Sequence, residues 1–388
     1  MRPRRWLILG LVLALLGFLA WRMLRPMNIF VVTEAFERPI PHQMLPASVT
    51  GEGSDGCVAC HEEIHAEWST SMHSRAWTDP YFQKDWEFDG AQQVCKNCHI
   101  PLENQQEQRV VGFRDRDREE PILQPNASFN AALQREGVTC AACHLREGKI
   151  LGPYGDSRAP HAVTKMDDPN RACVRCHVVE GDRWDTFFRM PPCGTVAEIE
   201  SSGSKDLGCV QCHMPVVRRS LVAGGSVREV RRHIWRGGHD PAKVQSALKA
   251  ELTEESAAGG KRLLVLTLTN VGARHFLPTG TPDRHLTVNL RLLDANDRPL
   301  REETHKLIRT VMWRPFIVDL WDTRLPYQEP RRYSLELDSH DASRAYTFEA
   351  AVRYGLLEES RRRRIGYENR EPISYEIYYS RLGLKDSR

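Results

Sequence analysis

Five short stretches set two cysteines three positions apart and follow the second directly with a histidine. They are Cys57-Val58-Ala59-Cys60-His61, Cys95-Lys96-Asn97-Cys98-His99, Cys140-Ala141-Ala142-Cys143-His144, Cys173-Val174-Arg175-Cys176-His177 and Cys209-Val210-Gln211-Cys212-His213. At this composition one such stretch arises by chance in roughly one chain in a hundred; five do not arise by chance. Two thiols at this spacing can add to the two vinyl groups on one edge of a haem, and the adjacent imidazole then lies beneath the iron. Paired thiols also build tetrahedral zinc sites, and C-x-x-C disulfides close small strained loops. Neither accounts for a histidine after every pair. The expectation is five covalently attached c-type haems, with His61, His99, His144, His177 and His213 as proximal iron ligands.

Ten further histidines are available for the opposite face of each iron: His42, His65, His73, His161, His233, His239, His275, His285, His305 and His340. Two strong axial ligands suit electron transfer, because little reorganises when the electron moves. His73, His161, His233, His239 and His275 are the expected distal ligands. His65 lies four residues after His61, so on a helix it stacks over its own neighbour and reads as surface. His42 is a reserve, and His285, His305 and His340 fall in strand or loop contexts and read as structural. Met214 follows His213 too closely to turn back on the same iron. Trp68, Trp77, Phe82 and Trp86 either pack on haem faces or form ordinary core. Cys193, without a nearby partner, reads as a free structural thiol.

The elements that must position these groups differ along the chain. Arg2, Arg4 and Arg5 precede an uncharged apolar run from Trp6 to Trp21, closed by Arg22. At about 1.5 Å per residue this run falls slightly short of the ~30 Å bilayer core, and Met23 and Leu24 extend it if Arg22 snorkels. A signal peptide carries a similar run, but Ala20 is followed by bulky Trp21 and Arg22, unlike a cleavage site. Residues 1–25 are therefore expected to be an uncleaved single-pass anchor in the cytoplasmic membrane. The positive-inside rule then sends the rest to the periplasm or cell exterior. Beyond residue 25 the chain has 49 basic against 51 acidic side chains, a balance unlike that of a nucleic-acid binder.

Residues 26–54, rich in Pro and Gly, read as an extended linker. Residues 55–257 form the Cys/His array, with short helical pieces at Asp55–Trp68 and Ser128–Gly137 and little periodic hydrophobicity. A helix of roughly ten residues is expected from Asp240-Pro241. From Lys261 the period switches to two, with runs at Leu264–Leu268, His285–Leu293, Thr304–Val311, Arg332–Leu337 and Tyr346–Tyr354. About seven such strands over residues 258–358 predict an antiparallel, immunoglobulin-like β-sandwich. Residues 359–388 form a tail whose Arg361–Arg364 run reads as a solvated face. The Arg-rich stretch Arg218–Arg236 reads as a neutraliser of haem propionates, with a docking patch as the alternative.

Cys57–His61 followed by Trp68-x-x-Ser71-x-His73, together with Gly137-Val138-Thr139-Cys140 and Cys212-His213-Met214-Pro215, resembles one superfamily of multihaem cytochromes c. It includes the tetrahaem cytochrome that accepts electrons from hydroxylamine oxidoreductase, that oxidoreductase, and the pentahaem nitrite reductases. The resemblance covers about residues 53–240. The segment from Thr269-Asn270-Val271-Gly272 to Pro278-Thr279-Gly280 also resembles a module appended to exported multihaem cytochromes. The likeness implies stacked and perpendicular haem pairs, with His73 as a distal ligand. Two departures disfavour an enzyme: every motif here ends in His, where the nitrite reductases place a catalytic Lys, and no cross-linking tyrosine is identifiable.

The fold class expected is α+β: an N-terminal transmembrane helix, a haem-cored helix-and-loop domain and a C-terminal antiparallel sandwich. The function expected is a membrane-anchored pentahaem cytochrome that carries single electrons. The alternative is an oxidoreductase with one open-coordinate haem acting on a small nitrogen or sulfur species. Expected partners are a redox donor or acceptor protein or a quinol dehydrogenase, and a complex with other cytochromes; nucleic acid is not among them.

Overall fold

The apolar N-terminal run forms α1 (Pro3–Leu24). Its window Arg4–Trp21 has a mean hydropathy of 1.7, long and apolar enough to cross a membrane, and none of it is buried by the rest of the chain. The structure, a computed structural model, describes residues 3–24, 37–114, 120–155, 160–177, 194–204, 206, 208–256, 261–312 and 318–384. Cys193 lies outside them.

From residue 37 to Ala247 the helices are short: α2 (Asp55–Val58), α3 (Glu62–Ser69), α4 (Pro80–Phe88), α5 (Gln93–His99), α6 (Ala131–Arg135), α7 (Cys140–His144), α8 (Arg171–His177), α9 (Thr195–Ser201), α10 (Cys209–His213) and α11 (Pro241–Ala247). Helices this short do not persist alone, so caps and tertiary contacts hold them. Asp79 accepts from the Phe82 N–H at the start of α4, and Asp240 accepts from the Lys243 N–H at the start of α11, each with proline in the first turn. The continuous helix expected over Asp55–Trp68 is broken, because His61 leaves the helical region (φ −111°, ψ 44°) between α2 and α3. Within the stretch expected as Ser128–Gly137 only α6 is helical, capped by the Asn130 side chain.

Among the described residues, three small sheets complete this half. β1 (Gln108–Phe113) pairs with β2 (Pro121–Pro125), β3 (Leu145–Arg146) with β4 (Lys149–Gly152) and β5 (Val163–Lys165), and β6 (Val216–Ser220) with β7 (Val227–Arg231). The apolar cluster here is small: Ile40, Leu102, Leu133, Ala141, Ala142 and Leu145. Polar side chains supply much of the bracing. Buried Gln105 donates to the Leu133 and Gly137 carbonyls at 2.9 and 2.7 Å, and Asn126 donates to those of Glu103 and Gln106 at 2.8 and 2.9 Å. The linker expected over 26–54 is docked from residue 37 onward. Ile40 buries itself beside Leu102 in a parallel bridge, and the Ser54 N–H reaches Glu136 at 2.8 Å.

The C-terminal half is built from strands. β8 (Leu248–Ser256), β9 (Arg262–Asn270) and β13 (Arg331–Leu337) form one antiparallel sheet in the order β13-β9-β8. β10 (His285–Leu293), β11 (Pro299–Met312), β12 (Val318–Asp322), β14 (Thr347–Gly355) and β15 (Ser374–Gly383) form a second, ordered β12-β11-β10-β14-β15. Alternation places Leu286, Val288, Leu290 and Leu292 of β10 against Leu264, Leu266 and Leu268 of β9 and Phe348, Ala350 and Val352 of β14, in one core shared by both sheets. The strands extend beyond 258–358 at both ends. β8 begins where α11 stops, which limits that helix to seven residues, and β15 occupies part of the expected tail. Two further short helices, α12 (Ser339–Ala342) and α13 (Glu359–Ile365), join strands.

Candidate functional site

Four of the five motifs lie on α5, α7, α8 and α10, and the first straddles the break after α2. One helical turn brings the two thiols of a motif to one face and ends at the histidine, which is free to turn. Among the described residues no disulfide ties these cysteines together. Thiols of different motifs also lie side by side: Cys57 beside Cys140, Cys98 beside Cys176, and Cys173 beside Cys209. The first motif therefore neighbours the third, the second the fourth, and the fourth the fifth.

Four of the five motif histidines are oriented through Nδ1. His61 donates to the Leu221 carbonyl at 3.2 Å, His99 to Ala76 at 2.7 Å, His144 to Leu151 at 2.8 Å and His213 to Arg236 at 2.7 Å. A protonated Nδ1 leaves the Nε2 lone pair for a metal. Burial lowers the pKa of all five motif histidines, bringing His99 to about 4. Burial likewise brings His73 to about 3 and His233 to about 4. The imidazoles are thus held neutral, the form that coordinates.

Four of these histidines face a second imidazole from a distant part of the chain. Ring centres are 6.3 Å apart for His61 and His161, 6.3 Å for His73 and His177, 6.0 Å for His144 and His233, and 6.4 Å for His213 and His275. Two imidazoles on opposite sides of one metal should lie about 6.3 Å apart, from a metal–nitrogen bond of about 2.0–2.1 Å and a centre-to-nitrogen distance of about 1.1 Å set by ring bonds near 1.33 Å. The residues present therefore fit a metal held between each pair. His161 adds a buried Nδ1 without a hydrogen-bond partner.

The paired rings are braced by carboxylates that spacing alone does not reveal. Glu67 on α3 accepts from both terminal Arg219 guanidinium nitrogens at 2.9 and 2.8 Å, from Arg232 at 2.7 Å and from the His233 N–H at 2.9 Å. Burial opposes its ionisation, but these donors outweigh it and hold its pKa at about 2. Glu198 on α9 accepts from Arg324 at 2.6 Å, Thr279 at 2.6 Å and the Phe276 N–H at 3.1 Å. Arg324, only 3% exposed, also grips Asp322 and the Pro278 carbonyl. This cluster clips the loop carrying His275, which follows β9, to α9.

Other expectations fare differently. His239 has no imidazole partner among the described residues, and neither does His99; the Phe82 ring lies flat on His99, with centres 3.6 Å apart and planes 8° from parallel. Trp77 packs on Phe82 and Trp86, and Trp68 is buried with its indole N–H on the Val138 carbonyl. His65 is half-buried rather than surface, set against Trp68 and Ser54. His42 contacts Glu52, His285 the Asp283 carbonyl, and His305 stacks beside Tyr333, while His340 is exposed. In the Arg218–Arg236 stretch, Arg219 and Arg232 serve Glu67, and Arg231 caps the Val210 and Met214 carbonyls. Arg361 is not part of a solvated face, because it bridges to Asp85 and Asp89 near α4 and lies over Phe88.

No protein-family model and no curated protein matches the chain. Among solved structures, it is similar to a penta-heme cytochrome c552 from Thermochromatium tepidum, with a TM-score of 0.64 at 21% identity. The match covers 86% of this chain and 98% of that one, so the two share a fold over both halves.

Proposed function

We propose that the chain is a multihaem c-type cytochrome that binds five haems through its cysteine pairs and carries single electrons among them. The observation that carries this reading is the set of four imidazole pairs at 6.0–6.4 Å, each joining a motif histidine to a remote one. A haem iron held between two imidazoles exchanges one electron with little change in its surroundings. The chain's residues would attach that group by thioethers, fix each imidazole tautomer through a carbonyl, and exclude protons from the rings by burial. The thiol contacts between motifs favour close neighbours, as electron passage requires. The fold shared with a penta-heme cytochrome supports the same reading.

The apolar α1, flanked by arginines on its N-terminal side, supports a single-pass anchor with the remainder in the periplasm or cell exterior. A donor or acceptor protein or a quinol dehydrogenase would meet it there, alone or in a complex with other cytochromes. The strand orders β13-β9-β8 and β12-β11-β10-β14-β15 support an immunoglobulin-like sandwich.

One observation favours a second reading. His99 carries Phe82 on its ring and faces no second imidazole among the described residues. A haem at Cys95 and Cys98 with an open iron position would let the chain act as an oxidoreductase on a small nitrogen or sulfur species. Haem quantification with low-temperature electron paramagnetic resonance of the oxidised protein tests both. Five haems with at least four low-spin signals are expected. A stoichiometric high-spin signal missing from the Cys95→Ala/Cys98→Ala variant, which lacks that haem, would move the reading to the oxidoreductase, and a chain without covalent haem would overturn both.

A further inference from the structure

Residues 231–240 run past three of the four imidazole pairs. His233 faces His144. The Trp235 ring meets His73, partner of His177, edge-on at 4.7 Å and 76°, and meets His233 edge-on at 5.3 Å and 89°. One residue further, the Arg236 carbonyl accepts from His213 Nδ1 at 2.7 Å. Glu67 pins the segment upstream through the Arg232 side chain and the His233 N–H. Trp235 itself has φ +38°, in the left-handed region that bulky residues rarely enter and that persists only where surroundings impose it. This turn carries the chain from the His233 pair to the His213 pair within three residues.

We propose that Trp235 is a positioning residue shared by two centres: its indole sets the ring plane of His73 and, together with the Arg231 carbonyl that accepts from His233 Nδ1 at 3.0 Å, that of His233. The proposal rests on the bis-imidazole reading above. Rotation of an axial imidazole about its metal–nitrogen bond is soft, so neighbouring groups decide it. Neither His73 nor the His233 ring is flanked by any other aromatic side chain besides its paired imidazole among the described residues. An edge-on aromatic contact is directional, and one indole making two of them ties the two planes to each other.

The test uses the full haem-loaded chain. Low-temperature electron paramagnetic resonance of His73→Met and His233→Met first identifies the low-spin signal belonging to each pair. Trp235→Leu, which keeps apolar volume but has no ring edge, is then expected to shift the g-values of those two signals and leave the His61/His161 signal in place. Trp235→Phe, which retains an edge, should return both towards the unsubstituted positions. Unmoved signals in Trp235→Leu with five haems bound would overturn the role of Trp235 alone, as would a common shift of every low-spin signal, which marks general loosening. Absence of low-spin signals from the unsubstituted chain would overturn it together with the reading it rests on.

Discussion

The two halves of the molecule reach order by different means. In the strand-built half, twenty buried side chains, mostly Leu, Val and aromatics, form one cluster between two sheets. In the motif-bearing half, the cluster around Leu102 has six, and the interior is shared among glutamines, asparagines and imidazoles. The first half can bury enough apolar surface to stand by itself. The second holds short helices around paired rings, an arrangement in which binding a group and folding are one event. Dependence on a bound group is thus written in the sparse side-chain core of the described residues as much as in the ligands.

The largest contrast between the halves is expected when haem attachment is removed by replacing the ten motif cysteines with alanine. Residues 37–247 should lose hydrogen-exchange protection throughout, while β9, β10 and β14 remain slow to exchange. Equal loss in both halves would show one cooperative unit instead. A smaller effect is expected from Arg324→Met, which leaves Glu198 buried without its cation and should cost roughly 3–5 kcal/mol, read by denaturant unfolding. The His275 loop should loosen with it, so the low-spin signal of the His213 centre should broaden or disappear; an intact signal would mean that the loop is held by other contacts.

Asp283 sharpens how the seam between the halves is held. Burial raises its carboxyl to about 6, with Asp85 and Glu358 adding to the shift while Arg361 and Arg364 oppose it. The unfolded chain ionises first, so this contribution is full below about pH 4 and is lost as pH rises through about 6. Asp283→Asn should therefore be more stable than the parent at pH 7–8, by up to about 3 kcal/mol, and indistinguishable from it near pH 3.5. Thermal unfolding across that range checks the sign.

Much of this was legible because the signals are local. Motif spacing marks the five histidines, and alternation marks β9, β10, β13 and β14. Asp240-Pro241 marks the start of α11, but alternation in Leu248-Lys249-Ala250-Glu251-Leu252 also announced β8, hidden behind an overlong helix. The pairing of imidazoles was not legible, since His61 and His161, or His213 and His275, meet only through tertiary packing. His239 shows the limit: it lies six residues from His233, across Trp235-Arg236-Gly237-Gly238, yet among the described residues only His233 of the two faces a motif histidine, with its N–H held by Glu67. The roles of Glu67, Glu198 and Arg324 were hidden for the same reason. Ordinary charged residues become braces only when distant segments close around them.

The pairing of His213 with His275 has a consequence for assembly. Chains emerge from the ribosome N-terminus first, and early segments fold before later ones exist. The other three pairs are complete once His233 has emerged. The fifth motif must wait for a loop that β9 delivers and that Arg324, later still, clips in place. Completion of that centre therefore doubles as a report that the C-terminal half has been made and docked, and a prematurely ended chain would betray itself by one unfinished site.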